Sequence, residues 1–305
     1  MGETAKRLLS AGILVPLFLF SFHYPGWYYI QLYFLGVGVI YLGVKEFCSF
    51  SDRGDEGKPF EKIAIFYGIL FFTVSYLQFI QTQPHNPIPE EWKTFLGKLI
   101  HPEYNLTVPI LLTLFIHAFV LQLISRPLEG AIHSVSTTVI ASIYLGITNA
   151  HFFKILNFEH GAYYVWMIAG TVFITDAGAY FGGRWFGRHP AGLKISPKKT
   201  WEGYITGIIT SLIFTICVNL VYEKFISSTL PFSYGELFLF TPLFSVISVI
   251  GDLSESAMKR DAKMKDSASV VPGHGGLLDL ADAILVVMPF SYYYLSTKIA
   301  LGFTV

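Results

Sequence analysis

The stretch from Val108 to Ile124 reads VPILLTLFIHAFVLQLI and contains no Asp, Glu, Lys or Arg. Because a helix rises about 1.5 Å per residue, about 17 to 25 mostly apolar residues cross the hydrocarbon core of a bilayer. This run therefore predicts a transmembrane helix. Eight further runs of this kind lie at approximately Leu8 to Phe22, Trp27 to Val44, Ile63 to Gln81, Ile132 to Ala150, Tyr163 to Gly182, Tyr204 to Tyr222, Leu237 to Gly251 and Leu277 to Phe303.

The composition of the whole chain also indicates a membrane protein. Of its 305 residues, 53% are hydrophobic and 14% are charged, against about 25% charged residues in soluble domains. The 21 Lys and Arg balance the 21 Asp and Glu, so the chain lacks the net basic field typical of nucleic-acid binding. The two cysteines, Cys48 and Cys217, predict no disulfide framework.

Positive charge predicts the orientation, because cytoplasmic loops carry an excess of Lys and Arg. With nine spans and a cytoplasmic N-terminus, 16 of the 21 Lys and Arg fall on the cytoplasmic side. The first apolar run lacks a small-residue cleavage site and leads into further spans, so we expect an uncleaved helix. The sequence predicts an all-α, polytopic integral membrane protein with about nine transmembrane helices and a cytoplasmic N-terminus.

Acidic residues collect at the span ends in the second half of the chain, where an acid near a helix centre costs roughly 2.5 to 3.5 kcal/mol. They are Asp176, Asp252, Glu255, Asp279 and Asp282. Asp279 and Asp282 are three residues apart, so we expect them to share one helix face. A divalent cation between them would keep both ionised. Carboxylates, phosphate oxygens and water are the ligands that Mg²⁺ prefers, so a magnesium site is predicted.

Two polar stretches between these spans contain groups that hold phosphate. Ser196, Lys198, Lys199 and Thr200 precede the seventh predicted helix, and cationic or hydroxyl donors near a helix N-terminus bind anions. The second stretch runs from Gly251 to Asp282. It contains Lys259, Arg260 and the loop Pro272-Gly273-His274-Gly275-Gly276, whose amides lie immediately before the two aspartates.

The residues from Ser256 to Asp282 resemble the signature of the phosphatidate cytidylyltransferase family, also called CDP-diacylglycerol synthases. The matching positions are Ser256, Lys259, Arg260, Lys265, Asp266, Pro272, His274, Gly275, Gly276, Asp279 and Asp282. Residues 176–180, 196–203 and 251–256 also look like family motifs. The sequence departs from the pattern at Leu280, where the family has Arg between the two aspartates.

The resemblance implies transfer of CMP from CTP to phosphatidate, giving CDP-diacylglycerol and pyrophosphate for phospholipid biosynthesis, with Mg²⁺ as the cofactor. It also suggests a homodimer. We expect residues 1–150 to form N-terminal transmembrane helices and residues 151–305 a C-terminal catalytic region, together one integral unit. The lack of a transit segment favours a bacterial inner membrane, with the site facing the cytoplasm.

Roles for individual residues follow from the resemblance and from their chemistry. Asp252 and Glu255 have three candidate roles: holding cations, binding cytidine or joining the metal site. For catalysis we expect Lys259, Arg260, Lys265 and His274; for substrate binding Ser196, Lys198, Lys199, Thr200, Asp252, Glu255 and Ser256; and for Mg²⁺ Asp266, Asp279 and Asp282.

Four other functions remain open from the sequence. The acceptor could be another membrane lipid, or the enzyme could be a CTP-dependent lipid kinase. Nine spans with intramembrane acids also occur in secondary transporters. Leu280 leaves an inactive homologue as the fourth reading.

Overall fold

A computed structural model describes residues 28–83, 89–264, 267 and 276–302. Within these ranges the chain forms helices and turns, with one isolated β-bridge between Pro190 and Thr200. The helices are α1 (Ile30–Phe50), α2 (Glu61–Thr82), α3 (Glu90–Leu99), α4 (Thr107–Ser125), α5 (Ala131–Ser142), α6 (Thr148–Leu156), α7 (Gly161–Phe186), α8 (Trp201–Phe225), α9 (Tyr234–Asp261) and α10 (Leu278–Ala300).

Eight segments of the described chain are long and apolar enough to cross a membrane. They are α1, α2, α4, the continuous stretch Ala131–Leu156, α7, α8, α9 and α10. The stretch Ala131–Leu156 joins α5 and α6 through a π-helical turn at Ile143–Ile147. The fold class is confirmed as an all-α integral membrane protein. The predicted span from Leu8 to Phe22 lies outside the described residues, and the orientation of the N-terminus stays a prediction.

Helix α9 extends beyond the predicted run, which ended at Gly251. The helix continues to Asp261, because the added Ser, Glu, Ala, Met, Lys and Arg include good helix formers. Asp252, Glu255 and Lys259 are therefore held on a helix and not on a loop.

Helix α3 lies in the segment from Thr82 to Thr107, which is rich in proline and aromatic residues. Trp92, Phe95 and Leu99 on this helix are exposed. The chain that follows α3 is fixed to α2, since the side-chain amide of Gln81 donates to the carbonyl of Ile100 at 2.9 Å. This hydrogen bond holds the C-terminal end of the amphipathic helix α3 close to the C-terminal end of α2.

The described residues form two compact units. The first takes the residues within Met1–Asn157 and Asp266–Leu280, and the second takes those within Phe158–Lys265 and Ala281–Val305. The first division falls between Asn157 and Phe158, and the predicted boundary after residue 150 stays a prediction. The short segment Asp266–Leu280 nevertheless belongs with the first unit, so the two units are not simply successive along the chain.

Aromatic packing forms much of the first unit. The ring of Tyr33 stacks on the ring of Tyr76 with centroids 4.6 Å apart. The ring centroid of Phe153 lies 4.8 Å from that of Tyr76. Phe72 lies 5.0 Å from Phe153. Rings of this size bury a large apolar area between helices, and offset or tilted pairs add to that stabilisation.

The loop between α1 and α2 is held by polar contacts. Hydroxyl groups of Ser134 and Thr138 accept hydrogen bonds from the amides of Lys58 and Phe60 at 3.0 and 2.8 Å. The Lys58 ammonium donates to Asp52 at 2.8 Å and holds the pKa of that carboxyl below its ordinary value. These contacts fix the loop where it leads into α2.

In the second unit, small residues on α8 allow a close approach to α7. The buried face of α8 repeats every four residues through Gly203, Gly207, Ser211, Thr215 and Asn219. A Cβ atom on Gly207 would lie 2.7 Å from the carbonyl oxygen of Thr175 on α7. Small residues at such positions let transmembrane helix backbones pack closely.

Hydrogen bonds between side chains continue this packing onto α9. The hydroxyl of Ser245 lies 2.9 Å from both Thr175 and Ser211. Thr215 and Thr241 form a second contact at 2.9 Å. These polar groups are buried, so each bond between helices avoids an unsatisfied hydroxyl group in an apolar interior.

A partly buried ion pair joins α9 and α10. The Lys298 ammonium donates to Glu236 at 2.8 Å, and the Tyr294 hydroxyl donates to the same carboxylate at 3.0 Å. Ser233 caps α9 by accepting from the amide of Glu236 at 3.2 Å. The N-terminal end of α9 is thus fixed against the C-terminal end of α10.

We expect Gly207→Ala to destabilise the second unit, because the added Cβ would overlap backbone and overpacking typically costs about 1 to 3 kcal/mol. The measurement is unfolding in mixed micelles of increasing SDS content, followed by tryptophan fluorescence. Gly235→Ala is the matched control, since no described heavy atom outside its own helical turn lies within 4 Å of a Cβ there. Equal stability of the two variants would contradict this account of the α7–α8 contact.

Candidate active site

Charged side chains from four parts of the second unit lie within electrostatic range of one another. Asp176 comes from α7, and Asp252 comes from the C-terminal half of α9. Lys199 immediately precedes the N-cap of α8, and Asp282 lies in the second turn of α10. Asp176 interacts with Asp252 and Lys199, while Asp282 interacts with Asp252, Glu255 and Asp176.

Backbone hydrogen bonds connect the two ends of the loop before α8. The amide of Ala191 donates to the carbonyl of Lys199 at 2.8 Å, and the amide of Trp201 donates to the carbonyl of His189 at 3.0 Å. Glu202 pairs with the His189 ring and accepts from the His189 amide at 3.2 Å. These bonds fix the backbone at the position from which Lys199 extends.

Thr200 is the N-cap of α8. Its hydroxyl oxygen accepts a hydrogen bond from the amide of Gly203 at 3.2 Å, as expected for threonine at this position. In this structure the side chain of Thr200 thus supports the helix end. Ser196 stabilises the turn before it, because its carbonyl accepts from the amide of Lys199 at 3.2 Å.

The two adjacent lysines in this loop have different environments. Lys199 is partly buried, forms an ion pair with Asp252, and has its ammonium 5.8 Å from the centroid of the Tyr204 ring. Lys198 is exposed. Lys199 is therefore the lysine whose position is set by a carboxylate.

Glu255 and Lys259 form a second ion pair, one helical turn apart on α9. Glu255 is fully buried and Lys259 is 9% exposed. An isolated ion in an apolar interior carries a large desolvation cost. Pairing the two charges offsets part of that cost.

Asp282 is buried, with 6% of its surface exposed. Gly251 of α9 lies against this part of α10, because a Cβ on Gly251 would be 2.9 Å from Cα of Ala283 and 3.1 Å from the carbonyl oxygen of Asp282. The close helix crossing brings the residue after Gly251, Asp252, towards Asp282. The site therefore depends on a small residue at the crossing point.

The charges of this cluster suit a cation. Asp176, Asp252, Glu255 and Asp282 supply four carboxylates, and Lys199 and Lys259 supply two ammonium groups. Oxygen donors of this kind are chemically suited to Mg²⁺, and a divalent ion would offset the repulsion between like charges. Among the described residues, however, no three His, Cys, Asp or Glu side chains form a ready-made metal site.

Asp279 forms hydrogen bonds within the first unit. Its Oδ2 atom accepts from the amide of Gly276 at 2.7 Å, from the amide of Ser267 at 3.1 Å and from the hydroxyl of Ser267 at 3.0 Å. Asp279 thus binds backbone at the start of α10.

The remaining predicted residues lie at the end of α9 or outside the described ranges. Arg260 is exposed and donates to the carbonyl of Met264 at 3.1 Å, while Ser256 is partly buried. Lys265, Asp266 and His274 are outside the described residues. Their predicted roles, like the metal role of Asp279, stay predictions from the sequence.

Asp176 is the residue that the predicted set of site residues omitted. Its position inside an apolar run singled it out, but a sequence does not reveal which charges from other helices lie near it. The structure supplies that information, because Asp252 and Lys199 both act on its carboxyl group.

Comparison with known proteins identifies the family of this chain. A profile of the cytidylyltransferase family matches residues 5–298. Over 158 residues the chain is 40% identical to a phosphatidate cytidylyltransferase of Bacillus subtilis, which covers 52% of this chain and 56% of that protein. Over 138 residues it is 40% identical to a protein of the same name from Haemophilus influenzae, covering 44% of this chain and 46% of that protein.

A plant relative shows similar identity. Phosphatidate cytidylyltransferase 4, chloroplastic, of Arabidopsis thaliana is 42% identical over 132 residues, covering 43% of this chain and 32% of that protein. The chain spans about half the length of the curated relatives it matches. The family profile, in contrast, covers nearly all of this sequence. The chain belongs to the cytidylyltransferase family.

Proposed function

We propose that this protein is a phosphatidate cytidylyltransferase, which transfers CMP from CTP to phosphatidate and releases pyrophosphate. The observation that carries the proposal is the charge cluster of the second unit, in which Lys199 and Lys259 are each paired with a carboxylate near Asp282. The family match and the names of the relatives support the same reaction.

The reaction brings two polyanions together. An oxygen of the phosphatidate phosphate attacks the α-phosphorus of CTP, and the bond from that phosphorus to the bridging oxygen of the β-phosphate breaks. The attacking phosphate is already ionised, so positioning and charge stabilisation supply most of the catalysis. Lys199 and Lys259 contribute positive charge, and their paired carboxylates hold the ammonium groups in place.

The oxygen donors of this cluster are chemically suited to Mg²⁺, and we propose that Asp282, Asp252 and Asp176 would hold it once the ion draws them together. When bound, the ion would neutralise charge on the phosphate oxygens of CTP. The metal roles of Asp266 and Asp279 stay predictions from the sequence.

The membrane setting agrees with the two substrates. CTP is soluble, whereas phosphatidate keeps its acyl chains in the bilayer, so the site must accept one from water and the other from lipid. We propose an N-terminus in the cytoplasm and a site at the cytoplasmic face of a bacterial inner membrane. We also expect a homodimer, as the family resemblance suggests.

The first test labels CTP in parallel at the α- or the γ-phosphate. Purified protein is incubated with each label, phosphatidate and Mg²⁺ in mixed micelles, and the lipid is then extracted. We expect label in the lipid only from the α-position, because CMP is the transferred group. Label from the γ-position alone would indicate a lipid kinase. Absence of metal-dependent label would contradict the proposal and favour another acceptor lipid or an inactive homologue containing Leu280.

We expect Asp282→Asn to lower kcat by roughly 100-fold or more, because loss of a carboxylate that would hold Mg²⁺ weakens the electrostatic stabilisation of the transferred phosphate, and one stabilising group is typically worth this much. The measurement is α-label transfer at saturating substrates over a range of Mg²⁺ concentrations. Glu159→Gln is the control, because Glu159 is an exposed carboxylate in the same unit. Full activity of the Asp282 variant would exclude a metal role for this residue.

Lys199→Gln should lower kcat/KM on the order of 100-fold, because it removes a positioned cation from the phosphates. Lys194→Gln removes an exposed lysine from the same loop and should retain nearly the parent activity. Steady-state kinetics of α-label transfer compare the two. If both variants lost the same fraction of activity, general loop charge, and not the Lys199–Asp252 pair, would be responsible.

A further inference from the structure

Glu46 is a buried carboxylate of α1, with 5% of its surface exposed, and no step described above uses it. Its Oε1 atom accepts from the amide of Leu277 at 2.9 Å. Its Oε2 atom accepts from the amide of Leu278 at 2.8 Å and from the hydroxyl of Ser267 at 3.0 Å. All four residues belong to the first unit.

The two amides mark the start of α10. The first amides of a helix have no partner within it, and a negative charge there is favoured by the helix dipole. Such amides are commonly satisfied by a nearby Ser, Thr, Asp or Asn. Here Glu46, more than 200 residues earlier in the chain, accepts from Leu277 and Leu278.

Ser267 connects Glu46 to Asp279. Its hydroxyl oxygen lies 3.0 Å from a carboxylate oxygen of each residue. A hydroxyl group has one proton to donate, but the Ser267 amide also donates to Asp279 at 3.1 Å. Ser267 therefore remains bound to Asp279 when its hydroxyl donates to Glu46.

Gly276 is packed directly against this arrangement. A Cβ on Gly276 would lie 1.8 Å from Oγ of Ser267 and 2.5 Å from Oε2 of Glu46. The position therefore excludes any larger side chain while Glu46 and Ser267 keep these contacts. Gly276 belongs to the Gly-Gly pair of the sequence signature, so Glu46 gives a physical reason for the second glycine.

We propose that Glu46 is a positioning residue for the transfer reaction: it fixes the start of α10, the helix that carries Asp279 and Asp282, together with Gly276. The proposal rests on the function proposed above. Glu46 acts through hydrogen bonds to the backbone and to Ser267, and it has no contact with substrate in this role.

The test is Glu46→Gln, which keeps the shape of the side chain but removes its charge and one acceptor. We expect kcat to fall by about 10- to 100-fold, as for other residues that orient functional ligands, with a smaller change in the KM for CTP. Glu56→Gln is the matched control, because Glu56 is exposed and lies only ten residues further along the chain. A kcat equal to that of the control would overturn the proposal.

Amide hydrogen exchange gives a readout that does not depend on activity. In Glu46→Gln we expect faster exchange in peptides covering Gly276 to Leu280, with exchange in α2 unchanged. Uniformly faster exchange throughout the first unit would overturn the positioning role in favour of a general loss of stability. If the parent protein transfers no label, the proposed function fails, while the exchange result still decides whether Glu46 holds the helix start.

Ser267→Ala serves if the glutamine variant does not fold. It removes only the hydroxyl group and keeps the hydrogen bond from the backbone amide of residue 267 to Asp279. We expect a fall in kcat without a matching rise in KM, together with faster exchange at Gly276 to Leu280. Unchanged kcat and unchanged exchange in this variant would overturn the proposal.

Discussion

The structure depends on pairing ionised groups in and beside its membrane-spanning helices, because charge is costly to bury in an apolar medium. Asp252 is paired with Lys199, Glu255 with Lys259 and Glu236 with Lys298. The same requirement applies to backbone, whose polar groups must also be satisfied inside the protein. These pairs join two helices, a loop and a helix, or successive turns of one helix, so satisfying the charges also fixes the geometry of the site.

Small residues make this pairing possible. Gly207 lets α8 lie against α7, and Gly251 lets α9 lie against α10 near Asp282. Larger side chains would separate these backbones, and short carboxylates such as Asp252 and Asp282 would lose their common environment. The glycines that allow close helix packing in the second unit therefore also bring the charged side chains of the site together.

The spans were predictable because a bilayer imposes a length and an apolar composition on each helix. Eight predicted runs correspond to helical segments of the described chain that are long and apolar enough to cross a membrane. The end of α9 was placed too early, since hydropathy falls at the first charges while the helix continues. Glu46 was missed for a different reason: its partners, Leu277 and Leu278, are distant in sequence, and no local pattern predicts such a contact. The second half carried the recognisable motifs, but only the fold distinguishes Lys199 from Lys198.

The partly buried pair of Lys298 and Glu236 limits how the protein can adapt to bilayers of different thickness. It lies at the C-terminal end of α10, whereas the Gly251 crossing lies near the other end of the same helix. Two anchors so far apart prevent α9 and α10 from sliding past each other. A change in lipid length must then be accommodated by tilting the two helices together or by deforming the bilayer, and the carboxylates of Asp252 and Asp282 keep their relative height.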